Sequence, residues 1–86
     1  MKKILFVCIE NACRSQIAKG FFNTLAANAW ADSAGIKPAE EVYPNATKVM
    51  KEVDIDVSQN KPKMLTFTMN NEFDYIVTTG CIMIVL

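Results

Sequence analysis

Eight consecutive residues, Cys8-Ile9-Glu10-Asn11-Ala12-Cys13-Arg14-Ser15, hold the side chains with the most chemical reach in this 86-residue chain. They lie between a run of apolar residues, Lys3 to Ile9, and a stretch with helical periodicity that begins at Ser15. Backbone N–H groups converge where a buried strand turns into a helix, and the helix N-terminus favours negative charge. The expected ligand is therefore a tetrahedral oxyanion, held by the loop Ile9, Glu10, Asn11, Ala12, Cys13, Arg14 and Ser15. Arg14 adds a planar fork of donors able to grip two oxygens. The same positive field favours the thiolate of Cys8, which makes Cys8 the candidate nucleophile, with Ser15 placed to hydrogen-bond its sulfur. The five residues between Cys8 and Arg14 let the loop wrap the anion, with the nucleophile below it and the guanidinium at its side. The plain alternative makes Cys8 a small buried hydrophobe and Arg14 a surface charge. Strand, Asn11, Arg-Ser and helix occurring together favour the chemical reading.

The elements that must position this loop follow from hydrophobic periodicity. Lys3 to Ile9 is short, continuous and rich in β-branched residues, which predicts a strand covered on both faces. Ile17, Ala18, Phe21, Phe22, Leu25, Ala26 and Ala29 recur at helical spacing, predicting a helix from Ser15 to about Asn28. Gly20 inside it costs about 1 kcal/mol relative to Ala, so packing must hold that turn. Trp30 to Ala34, closed by Gly35, predicts a second strand; a second helix with Asn45 as its cap carries Ala46, Val49, Met50 and Val53 on one stripe. Residues 56–62 read as irregular surface chain and Phe73 to Thr79 as a third strand. Strand, helix, strand, helix, strand is the order of an α/β domain with a parallel sheet, in which ligands bind at the carboxyl ends of the strands. Cys8 and Cys81 both fall at that rim.

Composition narrows the classes. With 51% hydrophobic and 21% charged residues, the chain has room for one domain, residues 1–86. Nine basic residues balance nine acidic ones, and the longest basic run is Lys2-Lys3, so neither nucleic acid nor a membrane surface is an expected partner. The first apolar run is too short for a signal peptide, and a cytoplasmic location is expected. Three cysteines without histidine remove the usual zinc spacings and disfavour a secreted disulfide framework, so neither metal nor cofactor is expected. Cys81-Ile82-Met83-Ile84-Val85-Leu86 closes the sequence on an apolar run where a loop, helix and further strand are expected. An unfinished sheet exposes an edge through which two copies can pair into a dimer.

These motifs resemble the low-molecular-weight protein tyrosine phosphatase superfamily, which includes the thioredoxin-coupled arsenate reductases. The resemblance covers the Cys8–Ser15 loop, Ser33-Ala34-Gly35, Tyr43-Pro44-Asn45-Ala46 and Val53-Asp54-Ile55-Asp56-Val57-Ser58, and so nearly the whole chain. It implies a flavodoxin-like three-layer αβα fold with parallel strand order 2-1-3, the fourth strand of the family lacking here. It also implies that Asn11 braces the loop. Cys81 at the exit of strand three is similar to the reductase branch, where phosphatases carry an acidic or polar residue, and the Tyr43-Pro44-Asn45-Ala46 turn points the same way.

The reductase resemblance implies a relay: Cys8 attacks arsenic, Cys81 attacks the Cys8 sulfur as arsenite leaves, a further cysteine closes the final disulfide, and thioredoxin is the reductant. Cys8, Arg14 and Cys81 are then the catalytic residues, and arsenate or phosphate the oxyanion. The alternative within the family is a tyrosine phosphatase working through a phosphocysteine, with Cys81 dispensable. A third alternative is an oxyanion-binding domain that lacks part of the catalytic machinery. The family's general-acid aspartate lies in a later loop, and the third redox cysteine after Cys81, neither of which this sequence contains; Glu10 stands where many relatives have glycine. Cys13 matches a position that in phosphatases protects the nucleophile by disulfide formation, with packing its plain alternative. Asp54, Asp56 and Asp74 are read as solvated or capping acids, and Trp30, Phe21, Phe22, Phe67 and Phe73 as core or rim aromatics.

Overall fold

The computed structural model describes residues 2–78. Its elements are β1 (Lys2–Cys8), α1 (Arg14–Leu25), β2 (Ala29–Gly35), α2 (Pro44–Lys51), α3 (Met69–Glu72) and β3 (Tyr75–Thr78). The three strands are parallel in the order β2-β1-β3, with Cys8 opposite Gly35 and Val7 opposite Thr78. All three carboxyl ends therefore lie along one rim, and β1 delivers Cys8 to its centre.

Alternation along β1 sends its side chains to two faces. Leu5 and Val7 are fully buried with Ala34 on one face, against Leu65, Met69, Phe73 and Ile76. Phe6 points to the other face, where its ring meets Phe22 of α1 edge-on at 5.9 Å. A second cluster forms where α1 approaches α2: Val42, Ala46, Met50 and Val57 pack with Cys13, Ile17 and Ile55. Gly20 brings α1 close to this cluster: a Cβ on it would lie 2.9 Å from Met50 Cε, the movable end of a flexible side chain, and 3.1 Å from Ile55 Cγ2.

The structure redraws several boundaries. The first strand ends at Cys8, and Ile9 is 53% exposed beyond it. The first helix stops at Leu25 rather than Asn28 because Ala26 is extended. The Asn23 side chain bonds both the N–H and the carbonyl of Ala31 (2.7 and 2.9 Å), so the chain must turn there into β2; Leu25 is left 79% exposed. The cap of α2 is Tyr43 instead of Asn45, since Pro44 with its fixed φ takes the first helical position. The third strand begins at Tyr75 rather than Phe73, which packs against Trp30 at 6.0 Å, and the four-residue α3 is too short to leave a periodic signal. Residues 56–62 are not simply surface chain: Val57 is 1% exposed, and this stretch leads into an extended piece whose Met64 forms a parallel bridge with Gly35. Thr79 and Cys81 lie outside the described residues.

Close packing at Gly20 generates a test. Gly20→Val overfills the α1–α2 contact and lowers unfolding stability by about 1–3 kcal/mol, read as a lower urea midpoint at unchanged m-value.

Candidate functional site

The turn from β1 to α1 is shaped by where its carbonyls go. Cys8 O accepts from Ile36 N (3.2 Å), Ile9 O from Lys37 N (2.7 Å), Glu10 O from Ala39 N (2.9 Å) and Ala12 O from Tyr43 N (2.8 Å). Asn11 O accepts from Gln16 Nε2 at 3.0 Å, and Cys13 O from Ile17 N at 2.9 Å. Six consecutive carbonyls are thus tied to surrounding structure. Each peptide plane holds its C=O and the next N–H antiparallel, so the N–H groups of residues 9–14 turn away from those partners. Asn11 shows the result, its N–H donating to Cys8 Sγ at 3.1 Å.

Asn11 occupies the left-handed region (φ 53°), which asparagine tolerates better than most residues. It is fully buried and so is the next turn's Ser15. Its side-chain amide has a defined orientation: the backbone N–H of Lys63 can only donate, so the atom 2.9 Å from it is Oδ1. Nδ2 then donates to Ser15 Oγ at 2.8 Å, and the Ser15 hydroxyl, also 2.8 Å from the Cys8 sulfur, can donate to it. The chain of donors runs Lys63, Asn11, Ser15, Cys8 and ends on sulfur. Two hydrogen-bonding groups thus meet at one sulfur.

Helix α1 begins immediately after the loop. Cys13 caps it without any side-chain capping bond, so the first-turn amides stay unclaimed by a cap, and Arg14 stands exposed at the first helical position. Arg14 forms no ion pair among the described residues. Cys8 itself is 7% exposed, and Cys13 is half-buried with a free thiol, packed beside the α1–α2 cluster. Glu10 is half-buried and Ala12 is inside the core. Gly35 is demanded by the loop, since a Cβ on it would sit 2.8 Å from Ile9 O and 2.9 Å from Asn11 N, both backbone atoms.

Several contributors carried no signal in the sequence. Gln16, fully buried, joins the Asn11 carbonyl to Asn60, whose Nδ2 donates to Gln16 Oε1 at 3.0 Å. Lys63 holds Asn11 by its backbone and pairs with Asp32 of β2 by its side chain, while Lys19 Nζ lies 3.4 Å from the other Asp32 oxygen. Burial opposes the charge on Asp32, but the Lys63 hydrogen bond, the Ser33 amide and the two ammonium groups outweigh it and hold the carboxyl below its ordinary value. Asp56 is likewise lowered, by the Ser58 hydroxyl and amide, and is exposed, as are Asp54 and Asp74. Asp74 accepts from Lys3 N at 2.8 Å, joining the starts of β3 and β1.

The family described as low molecular weight phosphotyrosine protein phosphatase matches residues 3–81. The chain belongs to that family. An arsenate reductase of Brevibacillus brevis is 44% identical over 78 residues, covering 90% of this chain and 58% of the relative. The thioredoxin-dependent arsenate reductase of Corynebacterium glutamicum superposes with a TM-score of 0.87 at 35% identity, over 94% of this chain and 41% of that one. A low molecular weight protein tyrosine phosphatase from T. tengcongensis gives 0.83 at 32% identity, over 91% and 58%. The chain thus spans well under two thirds of the length of each of these three. Among the described residues, no helix is long and apolar enough to cross a membrane.

The Asp32 environment sets an acid-side expectation. A carboxyl held below its unfolded value of about 3.9 stabilises the fold fully above that value, and the contribution is lost as pH falls through the folded value. Asp32→Asn is therefore less stable than the parent near neutrality, and the gap in urea midpoint narrows as pH drops below about 4.

Proposed function

We propose that this chain is an arsenate reductase of the low molecular weight phosphatase family, with Cys8 as nucleophile and the 9–15 loop as oxyanion cradle. The observation that carries the reading is the polarity of the loop: its carbonyls are bound to surrounding groups, and Asn11 N–H and Ser15 Oγ both lie on Cys8 Sγ. Such a cradle supplies preorganised donors to the anion and keeps the sulfur ready beneath it. Arg14, exposed and without an ion pair among the described residues, is free to place its fork on two anion oxygens.

The chemistry balances with two thiols. The Cys8 thiolate bonds to As(V), displacing one arsenate oxygen as water after protonation. The thiolate of Cys81, three residues beyond Thr78 in sequence, then attacks the Cys8 sulfur. The Cys8–arsenic bond breaks with its electron pair staying on arsenic, which leaves as arsenite, and a Cys8–Cys81 disulfide remains. An external dithiol of the thioredoxin class returns the two electrons. Support for this branch comes from the 44% identical arsenate reductase and the thioredoxin-dependent reductase that superposes at 0.87.

The phosphatase that superposes at 0.83 favours a second reading with the same loop, in which Cys8 takes a phosphoryl group and water releases it. Cys81→Ser separates the two. In the reductase, the variant loses arsenate-dependent oxidation of a thioredoxin system by at least about 100-fold, whereas Cys8→Ser loses both arsenate turnover and aryl phosphate hydrolysis. Unchanged arsenate turnover in Cys81→Ser contradicts the relay, and aryl phosphate hydrolysis without arsenate turnover in the parent chain selects the phosphatase.

A further inference from the structure

The donor chain that ends on Cys8 begins at an ion pair 31 residues apart in sequence, Lys63 with Asp32. Lys63 sits in an irregular segment, and its backbone does two jobs: its carbonyl accepts from Gly35 N at 2.8 Å and its N–H donates to Asn11 Oδ1 at 2.9 Å. A side chain on such a segment rotates freely unless something fixes it. Asp32 does so from β2, where its register with Leu5 is set by the sheet, where Ser33 N–H holds its Oδ1 at 2.8 Å, and where Lys19 approaches from α1. No buried side-chain N or O among the described residues is left without a partner, and the Lys63 ammonium at the far end of this chain of bonds is partly exposed.

We propose that Asp32 is a positioning residue for Cys8: through its ion pair with Lys63 it fixes the Lys63 amide on Asn11, and so keeps the Ser15 hydroxyl aimed at the Cys8 sulfur. This rests on the reading of Cys8 as a thiolate nucleophile. Asp32 touches neither the sulfur nor the loop backbone, and acts through the orientation of one side-chain amide. The two directions of effect distinguish this from plain electrostatics. Acting through space, removal of the Asp32 charge helps Cys8 ionise and removal of the Lys63 charge hinders it. Acting through the clasp, either loss hinders it. The other charged groups of the loop and of the 36–43 segment, Glu10, Arg14, Lys37, Glu40 and Glu41, and the thiol of Cys13 stay unchanged in the variants.

The test is the pH dependence of Cys8 alkylation by iodoacetamide, followed by mass of the Cys8 peptide in the full chain. Asp32→Asn raises the pH midpoint and slows labelling at neutral pH by roughly 2–10-fold, the worth of one hydrogen bond. The charge-neutral double variant Asp32→Asn with Lys63→Met does the same and no more, and Lys63→Arg keeps the parent midpoint. A lowered or unchanged midpoint in Asp32→Asn overturns the proposal; if that single variant fails to fold, an unchanged midpoint in the double variant overturns it instead. A parent Cys8 that titrates as a free thiol overturns the nucleophile reading and the clasp together, whereas a depressed parent midpoint unmoved in both variants overturns the clasp alone.

Discussion

Backbone carbonyls and amides cannot point the same way from one peptide plane, and the β1–α1 turn is built on that constraint. The 36–43 segment supplies four N–H donors to the carbonyls of Cys8, Ile9, Glu10 and Ala12, while Gln16 takes that of Asn11. Without those partners the carbonyls compete for the loop centre, and an oxyanion meets acceptors rather than donors. The loop's electrostatics thus reside in the segment around it as much as in the loop. The start of α1, which Cys13 caps without a side-chain hydrogen bond, extends the same field by one turn.

The arrangement is held by polar groups in a small domain, where each must be satisfied. Asn11, Ser15, Gln16 and Ser33 are all 1% exposed or less. An unpaired polar group there costs about 1–3 kcal/mol, a large share of the stability of a chain this size. The hydrogen bonds among Lys63, Asn11, Ser15 and Cys8 therefore hold the loop and the fold together. Gly35 shows the same coupling, since the space a Cβ would need is taken by the backbone of Ile9 and Asn11.

The strand, the loop and its Cys8-to-Arg14 spacing were legible because they are local: a continuous apolar run, a polar turn and a 3.6-residue period in sequence order. The parallel order of elements followed from their alternation. What escaped was set by contacts distant in sequence. Lys63 to Asn11 spans 52 residues and Asn60 to Gln16 spans 44, and neither lysine nor asparagine in an irregular stretch announces such a partner. Helix ends failed for a similar reason. Asn23 claims the Ala31 backbone and stops α1 early, and Pro44 takes the first position of α2 from the residue whose type suggested a cap.

On the proposed reading, the amides of residues 9–15 face an oxyanion lying over Cys8. The most direct measurement is a titration of the isotope-labelled chain with arsenate, followed residue by residue through the backbone amide resonances, with Cys8→Ser to prevent turnover. The largest shifts are expected on residues 9–15, saturating together. Shifts that are absent there, or concentrated elsewhere on the surface, contradict it.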